Sequence, residues 1–273
     1  MSKKELNGLE LQGYIKARQL RQVRNLRQQF GIVPKLCIIK STAAPDVIQT
    51  YVRMKQRYAD DVLIEVEVLT LDQSSMPEAI RRANESREIQ GIIIQLPIDD
   101  PSETEMLCDL ISPTKDVDGL GRGALYPSAT AQAIDWLLAG YNVELQDKHI
   151  AVVGNGKLVG NPLSKMWKQR GLMVTVLDEY SEDAEKVLSQ SDVIVSATGV
   201  PRLITSQKVA LGAVVVDAGT TSENGQIVGD VDESVRIRDD VTITPVKGGV
   251  GPLTITVLFE HVIEACFKQA GQL

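Results

Sequence analysis

Apolar residues recur at helical spacing through the charged stretch 5–30, and a short apolar run follows over 36–39 behind Pro34. The change of period predicts an opening helix and then a buried strand. Helical spacing returns over 45–60 and 76–88, alternation over 63–71 predicts a strand, and the run GIIIQLP at 91–97 is a short strand stopped by proline. A helix over about 102–111 precedes a loop at 112–120, and a further helix is expected over about 129–140. The grammar then restarts with a strand at 149–153, a glycine turn, a helix to about 170 and a strand at 173–177. Later strands are expected at 193–196, 213–217 and 241–243, separated by turn signals such as Glu223-Asn-Gly225. A last helix over about 253–269 has no strand after it and is expected to pack back on the first half. The fold class is therefore α/β with two domains, which suits a chain of 273 residues.

Composition narrows the functions. A hydrophobic content of 43% with 24% charged residues excludes collagen-like, coiled-coil and disordered chains. The net charge of −7 and a pI near 5.0 argue against general binding to nucleic acid or an anionic membrane. Any anionic ligand must meet a local positive site. Cys37, Cys108 and Cys266 are odd in number and far apart, which fits a reducing compartment, the cytoplasm, and buried thiols. With only His149 and His261 and no CxxC spacing, no metal site is expected. The chain starts with a polar Met1-Ser-Lys-Lys-Glu, and no apolar run is read as reaching the roughly 18 residues of a membrane span.

The string Gly154-Asn155-Gly156-Lys157-Leu158-Val159-Gly160 follows a strand and opens a helix, the context of a dinucleotide fingerprint, although GxGxxxG is one residue longer than GxGxxG. Glycines let backbone approach a pyrophosphate, and amides at a helix N-terminus supply partial positive charge. Asp178 ends the next strand near the ~20-residue offset at which an acid accepts from the ribose 2′-hydroxyl and repels a 2′-phosphate. That favours NAD over NADP. Ala197-Thr198-Gly199, after another strand, is placed to line the same crevice.

Four further residues carry candidate chemistry. Tyr51 and Lys55 stand at i and i+4 on one helix face, and a lysine becomes an acid or base when burial or a neighbouring cation lowers its pKa. On spacing alone the pair also fits an exposed face with a snorkelling lysine. Gln95 would place its amide at the carboxyl edge of a sheet, where α/β ligands bind. Lys115-Asp116-Val117-Asp118-Gly119 offers two acids on alternate sides, one free to face a pocket while the other braces the loop. Near the end, Val246-Lys247-Gly248-Gly249-Val250-Gly251-Pro252 is a stiff, glycine-rich approach to the final helix.

Taken in order, YVxxK, GIxxQLP, KDVDG, VGxxxxVGxP, ENGxxxGDV and GGVGPxT resemble the bifunctional methylenetetrahydrofolate dehydrogenase/cyclohydrolase family across nearly the whole chain. The resemblance implies a folate-binding catalytic domain at 1–122 plus 253–273, a Rossmann NAD(P)-binding domain at 123–252, a cleft between them and a homodimer. It implies Lys55 as the catalytic lysine, Tyr51 stacking near the pterin, Gln95 as the lysine's hydrogen-bonding partner and Asp118 as the acid that binds the pterin. Gly248, Gly249 and Pro252 would shape the folate side. The implied chemistry is hydride transfer from 5,10-methylenetetrahydrofolate to the nicotinamide, then water addition to give 10-formyltetrahydrofolate. The chain departs from the family pattern in four places. Ile48 replaces a serine, and Pro127-Ser128-Ala129-Thr130 and Val246-Lys247 replace the usual PCTP and VPGG strings; these bear on water addition and folate affinity. Asn155-Gly156 replaces an Arg-Ser or Ala-Ser pair and, with Asp178, points to NAD. A dehydrogenase with weakened hydrolysis and a binding protein without catalysis are the competing readings. Arg53, Arg57 and Lys247 are candidates for holding an anionic folate tail.

Overall fold

A computed structural model describes residues 5–223 and 226–272, so the Asn224-Gly225 turn signal and the first four residues fall outside the described part. Contacts divide the chain into two compact units: Gly13–Ala129 with Ile255–Leu273, and Met1–Gln12 with Thr130–Thr254.

The first unit carries α1 (Gly8–Phe30) from Gly13 onward, β1 (Lys35–Ser41), α2 (Asp46–Val62), β2 (Glu65–Leu71), α3 (Met76–Glu85), β3 (Gly91–Ile94), α4 (Thr104–Asp109) and, from Ile255, the rest of α9 (Val250–Gln269). Its strands form a parallel sheet in the order β2-β1-β3. Parallel strands buried on both faces need near-continuous apolar runs, and β1 and β3 supply them: all of β3, and β1 from Leu36 to its end, are buried. On one face Cys37, Ile39, Ile92 and Ile94 form a cluster with Met76, Ile80, Leu107 and Cys108. The other face meets α9, since a side chain at Gly91 would run into Val262 and Val117. Tyr58 of α2 stacks on Phe259 of α9 with centroids 5.4 Å apart.

The second unit contains α5 (Ala129–Gly140) from Thr130, β4 (Ile150–Val153), α6 (Gly160–Gln169), β5 (Val174–Leu177), α7 (Ala184–Ser189), β6 (Val193–Ser196), β7 (Val214–Asp217), the pair β8 (Thr221–Glu223) and β9 (Gln226–Val228), α8 (Glu233–Arg236) and β10 (Thr242–Ile243). Five parallel strands run β10-β7-β6-β4-β5, and β8 and β9 pair antiparallel. The order steps outward on both sides of β4 and β6, as in a doubly wound sheet.

Four expectations are corrected. The strand read from 63 starts at Glu65, because Leu63 closes α2 in the left-handed conformation (φ 63°) and its amide returns to the Asp60 carbonyl. The last helix starts at Val250, not 253, with Pro252 in its first turn, where a missing N–H costs nothing. The helix read over 76–88 ends at Glu85, where the Lys115 ammonium takes over its terminal carbonyls. Finally, α9 is long and apolar enough to cross a membrane by length and composition, with mean hydropathy 1.4. Of that window 72% is buried within the protein, which accounts for its apolar character.

Candidate active site

The buried face of α2 carries Ile48, Val52, Ala59 and Val62, each no more than 3% exposed. Position 55 completes their 3-4 spacing. Lys55 therefore occupies a place that the helical period assigns to the core, and burial pulls its ammonium below the ordinary lysine range. Its Nζ donates to Gln95 Oε1 at 2.7 Å, while Gln95 Nε2 donates to the Leu96 carbonyl at 3.2 Å. Gln95 follows β3 at the carboxyl edge of the sheet, its own amide bonded to the Ile39 carbonyl at 2.8 Å. Both ends of the Gln95 amide are thus committed, and its oxygen is aimed at the lysine.

Asp118 shares this environment. Burial pushes its carboxyl up to about 6, the positive charge of Lys55 pulls it back, and Asp116 adds repulsion. The two acids divide the work as the alternate-side reading expected. Asp116 is buried and accepts the amides of Gly119 at 3.0 Å and Gly121 at 2.7 Å, so it braces the loop. Lys115 donates to the carbonyls of Ala83, Asn84 and Ser86 at 2.9, 2.8 and 2.5 Å and pins the loop to the end of α3. From α9, His261 Nδ1 meets the Val117 carbonyl at 2.7 Å. A carbonyl only accepts, so Nδ1 carries the proton, and burial holds the ring pKa down to about 4, which keeps it neutral. Tyr51 lies one turn before Lys55 on α2, half-buried, its hydroxyl pushed above the ordinary tyrosine range by burial. Tyr51, Lys55, Gln95 and Asp118 all belong to the first unit. A surface cavity of about 750 Å³ in that unit, lined by residues such as Arg27, Asp60 and Glu65, includes none of them.

The second unit holds the glycine turn. Gly154 has φ +95°, and its amide donates to the Leu177 carbonyl at 2.7 Å, tying the turn to the end of β5. A side chain at Gly160 would overlap the Gly154 carbonyl oxygen, so this glycine lets the start of α6 close on the turn. A side chain at Gly156 would instead meet open space. No packing demand explains Gly156, whereas a ligand approaching the backbone would. Asn155 Oδ1 accepts from Asn161 Nδ2 at 3.2 Å, and the Val159 carbonyl starts the helical ladder. The exposed Asp178 accepts through Oδ1 from the Tyr180 amide and the Ser181 hydroxyl at 3.1 and 3.0 Å, which fixes its carboxylate at the strand end. These residues fit the demands of a dinucleotide: open backbone at a helix N-terminus and an acid at the end of the second strand.

Ala197, Thr198 and Gly199 follow β6. The Thr198 amide and hydroxyl donate to Asp230 Oδ2 at 2.7 and 2.9 Å, joined by the Ser196 hydroxyl at 2.8 Å. Beside them Arg236 pairs with Asp217 at 2.5 Å, and Asp217 accepts the Asp230 amide at 3.0 Å. Of this acid pair, Asp230 falls within the ENGxxxGDV string and Asp217 ends the strand read over 213–217, but the sequence singled out neither as a site residue. Gly248, Gly249 and Pro252 lie in this second unit rather than with Lys55. There the carbonyls of Gly248 and Pro252 take the Leu9 amide and the Gln12 side chain at 2.9 and 2.6 Å.

Comparison with known proteins agrees along the whole chain. The catalytic-domain model of tetrahydrofolate dehydrogenase/cyclohydrolase matches residues 6–118 and the NAD(P)-binding-domain model matches residues 128–270. The bifunctional protein FolD of Anoxybacillus flavithermus is 34% identical over 98% of this chain and 99% of its own. Among solved structures, the bifunctional FolD methylenetetrahydrofolate dehydrogenase/cyclohydrolase of Campylobacter jejuni has a TM-score of 0.92 at 30% identity, covering 98% of this chain and 100% of that one. The Trypanosoma brucei enzyme, solved with NADP and an inhibitor, has a TM-score of 0.91 at 28% identity over both full lengths.

Proposed function

We propose that this chain, which belongs to the tetrahydrofolate dehydrogenase/cyclohydrolase family, oxidises 5,10-methylenetetrahydrofolate to 5,10-methenyltetrahydrofolate and adds water to give 10-formyltetrahydrofolate. The observation that carries the reading is the Lys55 to Gln95 hydrogen bond of 2.7 Å in the electrostatic reach of the half-buried Asp118 carboxyl. Such an amine has no structural task that a leucine could not perform at that core position.

NAD(P), when bound, supplies a hydride acceptor. The residues fitted to hold it are those of the turn at Gly154, Gly156 and Gly160, with Ala197, Thr198 and Gly199. We assign the folate to the unit carrying Lys55 and the dinucleotide to the unit carrying the glycine turn. Hydride loss from the methylene bridge needs no side-chain base, since it leaves a cation and releases no proton, so the protein's part in that step is positioning. Water addition does release a proton. Burial favours the neutral amine of Lys55, the Gln95 oxygen orients it, and the amine can take the proton as water attacks. Asp118, ionised near neutral pH, would accept from the N–H edge of the pterin, with Tyr51 alongside the ring.

The cofactor preference is read as NAD. Asp178 would accept from a ribose 2′-hydroxyl and repel a 2′-phosphate, and Asn155-Gly156 brings no cation to the turn. The three buried thiols, none in a disulfide among the described residues, support a reducing compartment, here the cytoplasm; a homodimer follows from the family resemblance, and light scattering checks it. The deciding assay runs 5,10-methylenetetrahydrofolate with NAD and NADP in parallel and follows Lys55→Met. The variant is expected to stay folded and lose water addition. Undiminished hydrolysis would overturn the role of Lys55, and a preference for NADP would overturn that of Asp178.

A further inference from the structure

Lys40 has no place in the account so far. It follows the apolar run 36–39 of β1, only 5% of it is exposed, and its ammonium has no hydrogen-bond or ion-pair partner among the described residues. The side chain is nearly enclosed while its ammonium keeps contact with solvent, which leaves the charge available to an incoming acceptor. The strand register says what lies beside it. Ile39 pairs with Ile94 and both point into the cluster with α3. Alternation therefore turns Lys40 and the next residue of the neighbouring strand, Gln95, to the opposite face. The Gln95 amide bonds the Ile39 carbonyl, so the pairing continues to this point. Gln95 is the partner of Lys55. Two lysines thus serve one sheet edge, one engaged and one waiting.

We infer that Lys40 is a substrate-binding residue whose ammonium donates to the 4-oxo group of the folate's pterin; this rests on the folate reading above. The chemistry of the ring requires such a donor. If Asp118 accepts from the N–H edge of the pterin, the adjoining carbonyl lies next to it. The Gln95 amide is already committed at both ends, to Lys55 and to Leu96. An ammonium on the same edge supplies what the ring lacks and gains the acceptor that the protein withholds from it.

The test uses the full-length enzyme and Lys40→Met, which keeps the length of the side chain and removes the charge. The KM for 5,10-methylenetetrahydrofolate is expected to rise about tenfold or more, the scale of a hydrogen bond to a charged group, with kcat and the dinucleotide KM within about twofold. The thermal midpoint is expected to hold, because no hydrogen bond or ion pair within the described residues is lost. Tetrahydrofolate and its 4-amino-4-deoxy counterpart are then compared as competitive inhibitors. The preference for the 4-oxo compound is expected to collapse in the variant. An unchanged KM, a lowered midpoint, or equal weakening of both inhibitors would overturn the inference. Absence of turnover by the unmodified enzyme would instead bring down the functional reading beneath it.

Discussion

Asp118→Asn separates the energetics of the candidate site from its chemistry. Burial lifts this carboxyl from an ordinary 3.8 to about 6. Ionising it in the folded chain therefore costs about 3 kcal/mol relative to the unfolded one. Asparagine removes that cost; the attraction of Lys55, which pulls the carboxyl down, is already contained in the value of about 6. The expectation near pH 7.5 is a stabilisation of about 3 kcal/mol, or a rise of about 8 °C in the midpoint of the transition. The sign follows from linkage: a carboxyl whose folded pKa is raised is harmless while protonated. Below about pH 4 the acid is neutral in both states and the two proteins should match. As pH climbs from 4 through 6 the parent loses stability relative to the variant, and above that window the gap is constant. Urea or thermal unfolding at pH 4 and pH 7.5 measures it, with folate turnover recorded on the same samples. A gap that is independent of pH, or a variant less stable at pH 7.5, would refute the assignment of burial as the dominant influence on Asp118.

Three other perturbations address the frame. Gly160→Ala drives a methyl into the Gly154 carbonyl oxygen; a loss of about 1–3 kcal/mol is expected in denaturant titration, together with a raised dinucleotide KM and an unchanged folate KM. Lys115→Met removes the donor shared by three carbonyls at the end of α3. It should cost about 2 kcal/mol and loosen the loop that carries Asp118, seen as faster amide exchange at Gly119 and Gly121. Asp230→Ala leaves the Ser196 hydroxyl and both Thr198 donors without their acceptor. About 3 kcal/mol or more is expected from buried groups left unsatisfied, and unchanged stability would show that the loop after β6 is held by other means.

Periodicity made most of this fold legible because it reports burial, and burial is what sets strands such as β1, β3, β4 and β6. It failed where the backbone changes direction on a non-glycine residue. Leu63 reads as the first residue of a strand, yet its positive φ closes a helix, a conformation for which leucine carries no signal. The start of α9 was hidden in a similar way, since Gly251 and Pro252 read as breakers until one knows that they fall in the first turn, where the ladder needs no donor. Short α7, and α8 with its Asp232 carboxylate on the Ser234 amide, are too brief for a period to show. The site residues follow a different rule. Lys55, Asp116, Asp118, Asp230 and His261 are each polar groups in places that pattern or local context assigns to the interior. The sequence singles out Lys55, Asp116 and Asp118 by spacing and motif but not their partners, and it gives Asp230 and His261 no role of their own. That Lys55 meets Gln95, that Asp116 braces the loop carrying Asp118 and that His261 holds the Val117 carbonyl depends on which segments the fold brings together. A polar residue in a core register marks that a site exists; only the partner tells whether its task is to bind, to brace or to move a proton.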